Sequence, residues 1–219
     1  MSKHFELTDE TITTHGRMLR RIRATRDLSQ HCVKAGDLGG FVESEDNLAG
    51  DAWVSGDAWV SGDAWVSGNA RVTGDAQVSG NARVTGNARV TGDAQVSGNA
   101  RVTGNARVTG NARVTGDAQV TGNARVTGDA QVTSSRHVLT LSPIGAENQT
   151  VTLCKTTTGH TLKVGCWTGT ADTLMEEVAR RREKYWGDNE TRNQLLTSEY
   201  ESVLVLVQNR IKEWEIESV

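Results

Sequence analysis

Valine recurs at every sixth residue from Val54 to Val132, fourteen times without a break. Alanine stands two residues before each of these valines, and the unit reads Gly-(Asp/Asn)-Ala-x-Val-(Ser/Thr). The phase continues upstream to Val42 and Leu48 and downstream to Val138 and Ile144. A period of six cannot be helical, because about 3.6 residues per turn would scatter the valines around the helix. It suits a short strand followed by a tight corner. Alanine and valine, two apart, point to one face of such a strand, and x and Ser/Thr point to the other. Gly-Asp and Gly-Asn supply the backbone freedom of a corner. One hexad is then one side of a coil, and three sides close a coil of about 18 residues. At roughly 4.8 Å per coil, the uninterrupted copies form nearly five coils and about 22 Å of prism.

The outward x position carries the chemical variation. With an 18-residue coil, Arg71, Arg89, Arg107 and Arg125 form one stacked column. Residues 77, 95, 113 and 131 read Gln, Gln, Arg, Gln, and 83, 101 and 119 read Arg, Arg, Gln. Trp53, Trp59 and Trp65 fall one on each outer side of a single coil, the first full one after the N-terminal region. Three exposed indoles would need cover, either from the chain's own cap or from a partner. The arginine column reads as a solubilising face or as a docking strip for an acidic protein, a nucleotide or a nucleic acid phosphate.

These units resemble those of hexapeptide-repeat left-handed β-helices, and the resemblance, not the period, implies the left hand. Open coil ends need caps. Residues 1–47 read as an N-terminal β cap, with His15-Gly16 as a hairpin turn. Arg17, Arg20, Arg21, Arg23 and Arg26 make a local basic cluster there, read as a solvated strand face or as an anion contact. Residues 48–133 are the solenoid. Residues 134–219 predict a small α+β domain: β-rich runs with a hairpin tip at Thr158-Gly159, then two helices. The first helix starts near Thr170 or Asp172 and ends at Gly187. The second, about 189–214, places Leu196, Tyr200, Val203, Leu204, Val207, Ile211 and Trp214 on one stripe, to pack on its own sheet or on a second helix. The fold class expected is therefore mainly β: a left-handed β-helix with an N-terminal β cap and a small α+β C-terminal domain.

A second resemblance covers nearly the whole chain. "RIRATRDLS", "VKAGDLGGFVESEDNLAG", the hexads, "LSPIGAENQTVTL" and "GCWTGTADTLMEEV" look like a group of proteins encoded by bacteriophages and prophages. The tail of that group commonly shows Pro-Ile-Gly-Ser-Arg-Asn and Cys-Phe-x-Gly-Thr. The matching stretches here run from Pro143 to Asn148 and from Cys166 through Trp167 to Thr170, with Glu147 where the group has arginine. Asn148, Cys166 and Trp167 are thus candidate site residues of the C-terminal domain, and an anion contact at position 147 is in doubt. The resemblance implies phage origin and supplies no activity.

Composition narrows the function classes. The formal charge is −3, and residues 1–49, 50–133 and 134–219 carry seven, seven and ten basic residues against eight, seven and twelve acids. No segment is a basic arm, which disfavours nucleic acid as the partner. Cys32, Cys154 and Cys166 are too few and too scattered for a disulfide framework or a zinc site, and structural thiols are the simplest reading. No segment approaches a membrane span and no signal peptide is evident, so a bacterial cytoplasmic location is expected. Acyltransfer, the activity the hexapeptide fold brings to mind, needs a histidine base in a cleft. Residues 50–133 contain no His, Cys, Lys or Glu. One aspartate per corner cannot chelate calcium. No catalytic residue, cofactor or metal is expected. The leading expectation is a non-enzymatic binding protein, an oligomeric scaffold (dimer or trimer) or a host-directed accessory factor, with Trp53, Trp59, Trp65 and the arginine column as its contact residues. A nucleotide-sequestering module and a virion structural protein are the alternatives.

Overall fold

A computed structural model describes residues 3–216. The chain divides into two compact units, Met1–Ser135 and Arg136–Val219. The first is a β-solenoid of about five turns with its cap; the second is a small sheet with two helices.

The coil strands, from β4 (Trp53–Val54) to β17 (Gln131–Val132), are mostly two residues long and pair in parallel with the strand 18 residues on. Each coil offers the next a regular set of bonds. In the first, Asp51 N–H donates to Gly68 O, Trp53 N–H to Ala70 O and Ser55 N–H to Val72 O. The alanines and valines point inward, and every valine from Val54 to Val132 is fully buried. The corner glycines have positive φ, and a Cβ on Gly68 would meet the Gly86 backbone at 3.0 Å. Glycine therefore serves the corner both by conformation and by close approach of successive coils.

The cap extends one face of the prism. Strands β1 (Phe5–Thr14) and β2 (Arg17–Ala24) form a hairpin whose turn residues, His15 and Gly16, both have positive φ, as a type I′ turn requires. Strand β2 pairs antiparallel with β3 (Leu38–Val42), and β3 pairs parallel with Trp59–Val60. One eight-stranded sheet thus runs from the hairpin down this face. The upstream phase holds, with Val42 beside Val60 and Leu48 bridged to Val66. Gly40 occupies an alanine slot of this coil, but a Cβ there would lie 2.4 Å from Ala58 O.

The downstream phase does not continue the solenoid. Val138 and Ile144 belong to β18 (Val138–Ile144), which pairs antiparallel with β19 (Gln149–Thr156) in the second unit. Six-residue spacing persists there by coincidence, because strand direction is not encoded in the phase. Strands β20 (Gly159–Val164) and β21 (Trp167–Gly169) complete this sheet. Thr156 pairs with Gly159, so the two-residue tip is Thr157-Thr158, one position earlier than the sequence suggests.

Helix α1 (Leu174–Tyr185) starts from Thr173 as N-cap and is followed by Gly187 with φ 72°. Helix α2 (Glu190–Ile216) buries Tyr200, Val203, Val207 and Trp214 in one core with Val151, Leu153, Leu162 and Val164 of the sheet. Leu196, Leu204 and Ile211 pack against that core. The expected stripe therefore packs on its own sheet.

Candidate functional site

The tryptophan belt sits on three different faces, as the coil length requires, but the cap treats the three indoles unequally. Trp59 is in register with Phe41 above and Gln77 below. It clusters with Leu19 and Phe41, with Ile12 against them, and the His15 ring lies 5.7 Å from its own. The β1–β2 hairpin thus folds over this indole. Trp53 is buried to 1 % exposure. The segment after β2 crosses that face: His31 Nε2 hydrogen-bonds Asp51 O at 2.6 Å, and Arg26 ion-pairs with Asp51. His4 Nε2 bonds Ala52 O at 2.8 Å. Trp65 alone stays open, at 40 % exposure.

Beside Trp65 lies a cleft of about 610 Å³ between cap and coils. Its rim includes Arg17, Glu43, Asp46, Asn47 and Asp63. Glu43 is committed within the fold. It accepts from Gly62 N–H at 2.6 Å and from Arg17 at 2.8 Å, and these bonds hold its carboxyl below the usual range. Arg83 follows Trp65 in register on the next coil.

The arginine column forms as the spacing predicts: Arg71, Arg89, Arg107 and Arg125 stack in register below Trp53. The cap claims Arg71, whose Nε donates to His31 Nδ1 at 3.2 Å. Burial is the main cause that lowers the pKa of both His31 and His4, so both are neutral near pH 7. The N-terminal basic cluster is largely internal pairing: Arg17 with Glu43, Arg21 with Glu10, Arg23 with Glu6 and Arg26 with Asp51.

A regularity in the repeat explains how charge is distributed. Each Asn-Ala unit carries arginine at x, and each Asp-Ala unit carries glutamine or tryptophan. Each hexad therefore has one unit charge, of either sign. Asn69, Asn87, Asn105 and Asn123 form an amide ladder beside the arginine column, with side-chain bonds of 3.1–3.2 Å. The next corner carries Asp57, Asp75, Asp93, Asn111 and Asp129. The solenoid thus has a basic face and an acidic edge, a segregation visible only when the Asn–Arg coupling is read together with the coil length.

In the second unit the candidate residues do different work. Asn148 holds a left-handed turn conformation, φ 50°. Trp167 packs against the core. Cys166 is exposed, whereas Cys154 is buried and its thiol is pushed up to about 12 by loss of solvent. Position 147 is not an anion site: Glu147 ion-pairs at 3.3 Å with buried Arg181, which also bonds Glu177 and Val164 O. Sequence reasoning missed a cleft of about 710 Å³ lined by Lys155, His160, Asp172, Lys212 and Trp214 among others. His160 Nε2 accepts from Ala171 N–H at 2.9 Å, and burial lowers its pKa. Among the described residues no group of three His, Cys, Asp or Glu is placed to hold a metal, and no helix is long and apolar enough to cross a membrane.

None of the curated proteins matches the chain. A family model described as the YdcK Beta solenoid repeat matches residues 64–79, 76–92, 94–110 and 118–134. All four matches lie in the coils, so the similarity is to the repeat itself: this part of the chain is similar to YdcK-type β-solenoid repeats.

Proposed function

We propose that the chain is a non-enzymatic β-solenoid binding protein of phage or prophage origin. On this reading it acts in the bacterial cytoplasm and holds a host protein on its Trp65 side. The observation that carries the reading is the uneven cover of the belt: two indoles are enclosed by the cap, and the third stays 40 % exposed on a cleft. An exposed tryptophan beside a concavity is the residue type that dominates protein–protein contacts. The likeness of both ends to phage and prophage proteins supports a host-directed accessory role, such as inhibition of a defence component. Self-association as a scaffold belongs to the same reading.

The test is capture from bacterial lysate with wild type and Trp65→Ala, the bound protein being identified by mass. A host protein held by wild type and lost in Trp65→Ala, with an unchanged unfolding midpoint, is the expected result. Equal capture by both chains sinks the reading. One observation favours a nucleotide as a second reading. Arg83 lies one coil below Trp65, so a base stacked on the indole would bring its phosphate toward a guanidinium. Native mass spectrometry of the purified chain then shows a carried nucleotide, absent from Trp65→Ala.

A further inference from the structure

We propose that the arginine face of one copy docks on the aspartate edge of a second copy, Arg89 and Arg107 of one meeting Asp75 and Asp93 of the other. The inference rests on the reading of the chain as a self-associating scaffold, and it names the surface.

Arg71 is held by the cap through His31 and Gln30. Arg89 and Arg107 are exposed and, among the described residues, have no ion pair or side-chain hydrogen bond. The asparagine ladder beside them uses the Oδ1 of Asn87, Asn105 and Asn123 internally. Asn69, Asn87 and Asn105 each spend one N–H on the next amide and keep a second. The strip is therefore rich in donors and poor in acceptors. The following edge is its complement: Asp75 and Asp93 are exposed carboxylates, also without a partner among the described residues.

Pitch selects the occupant. Both columns advance one residue per coil, roughly 4.8 Å. An extended acidic peptide presents same-side carboxylates roughly 6.6 Å apart, and each strand of B-DNA advances about 3.4 Å per phosphate. Either falls out of step with the arginines after one coil. A stack of strands with one carboxylate per coil stays in step, and this chain carries one. Two arginine faces would repel each other, so face meets edge, either reciprocally about a two-fold axis or head to tail as a ring or a growing stack. Exposed ion pairs are individually weak and salt-screened, so the association is expected to be weak and salt-sensitive.

The experiment uses the full chain, by sedimentation velocity at about 20 mM and about 0.5 M salt. Wild type should associate at low salt, with an apparent Kd at least about tenfold weaker at high salt. Arg89→Asp/Arg107→Asp and Asp75→Arg/Asp93→Arg should each be monomeric alone. Mixed in equal amounts they should associate, because every face then meets an edge of opposite sign. None of the four positions has positive φ, so the backbone accepts the exchanges, and circular dichroism checks the fold. Assembly of either variant alone, or variants that stay monomeric when mixed, overturns the surface assignment and leaves self-association standing. A wild type that is monomeric in every condition overturns both, as does one that assembles only on added DNA.

Discussion

Asn47 donates its side-chain amide to Ala64 O at 2.8 Å and to Gly62 O at 2.9 Å. In later coils the alanine carbonyl accepts a backbone N–H, as Ala82 O does from Trp65. The backbone N–H of Asn47 is turned away to Ser44 O, so the side chain substitutes for it and closes the open end of the coil stack. Asn47→Ala leaves two carbonyls without these donors. We expect it to lower stability by about 1–3 kcal/mol in urea unfolding, with Asn47→Asp no better because a carboxylate cannot donate.

Trp59 and Trp65 occupy equivalent positions on one coil, yet they should respond differently to the same substitution. Trp59→Arg places a charge among Leu19, Phe41 and Ile12 and should destabilise by about 3–5 kcal/mol. Trp65→Arg only extends an arginine column on an open face, and its effect on the midpoint should stay within about 0.5 kcal/mol. Equal losses would mean that the cap covers both indoles in solution.

The coil was legible because its cause is local and repeated. One valine per six residues sets the strand, the corner and the stacking of Arg71 over Arg89. The α2 stripe was legible for the same reason. The unequal tryptophans were not, because their cover depends on where a hairpin far along the chain docks. That docking is set by the β2–β3 pairing and by Gly39 and Gly40, whose missing Cβ atoms let β3 approach Ile22, Val54 and Ala58. Asn47 was equally hidden, since only the coil below it, with Gly62 O and Ala64 O, reveals which donor is missing. Val138 and Ile144 misled because a phase persists in sequence even where the strand has changed partners.

Arg181 is the hinge of the second unit's polar interior. It is buried between Glu177, at 2.7 Å, and the carbonyl of Val164, at 2.9 Å. Hydrogen bonds from Arg180 first, and then from Arg181, hold the Glu177 carboxyl below its usual range. Arg181→Met leaves Glu177 paired with Arg180 alone and takes the side-chain donor from Val164 O, and should destabilise by about 1–3 kcal/mol. The double change Arg181→Met/Glu177→Leu should recover part of this, because no half-paired buried carboxylate is then left. A double variant as unstable as the single one would show that Arg181 acts through packing.

Acid should loosen the cap before it affects the coils. His4 and His31 donate from Nε2 to Ala52 O and Asp51 O, and His31 Nδ1 accepts from Arg71, which requires a neutral ring. Burial lowers both pKa values below 6.5, with Arg26 and Lys3 adding repulsion at His4, Arg71 at His31, and Asp51 opposing at both. The unfolded chain therefore binds protons at a higher pH than the folded one, and stability falls as pH drops. It is complete above about 6.5 and declines from there toward the lower folded values. The unfolding midpoint should accordingly be flat from about pH 8 to 7 and fall as pH drops below about 6.5. His31→Gln keeps a donor to Asp51 O without a titrating ring and should reduce the slope. An unchanged slope in His31→Gln and His4→Gln together would place the acid-sensitive group elsewhere.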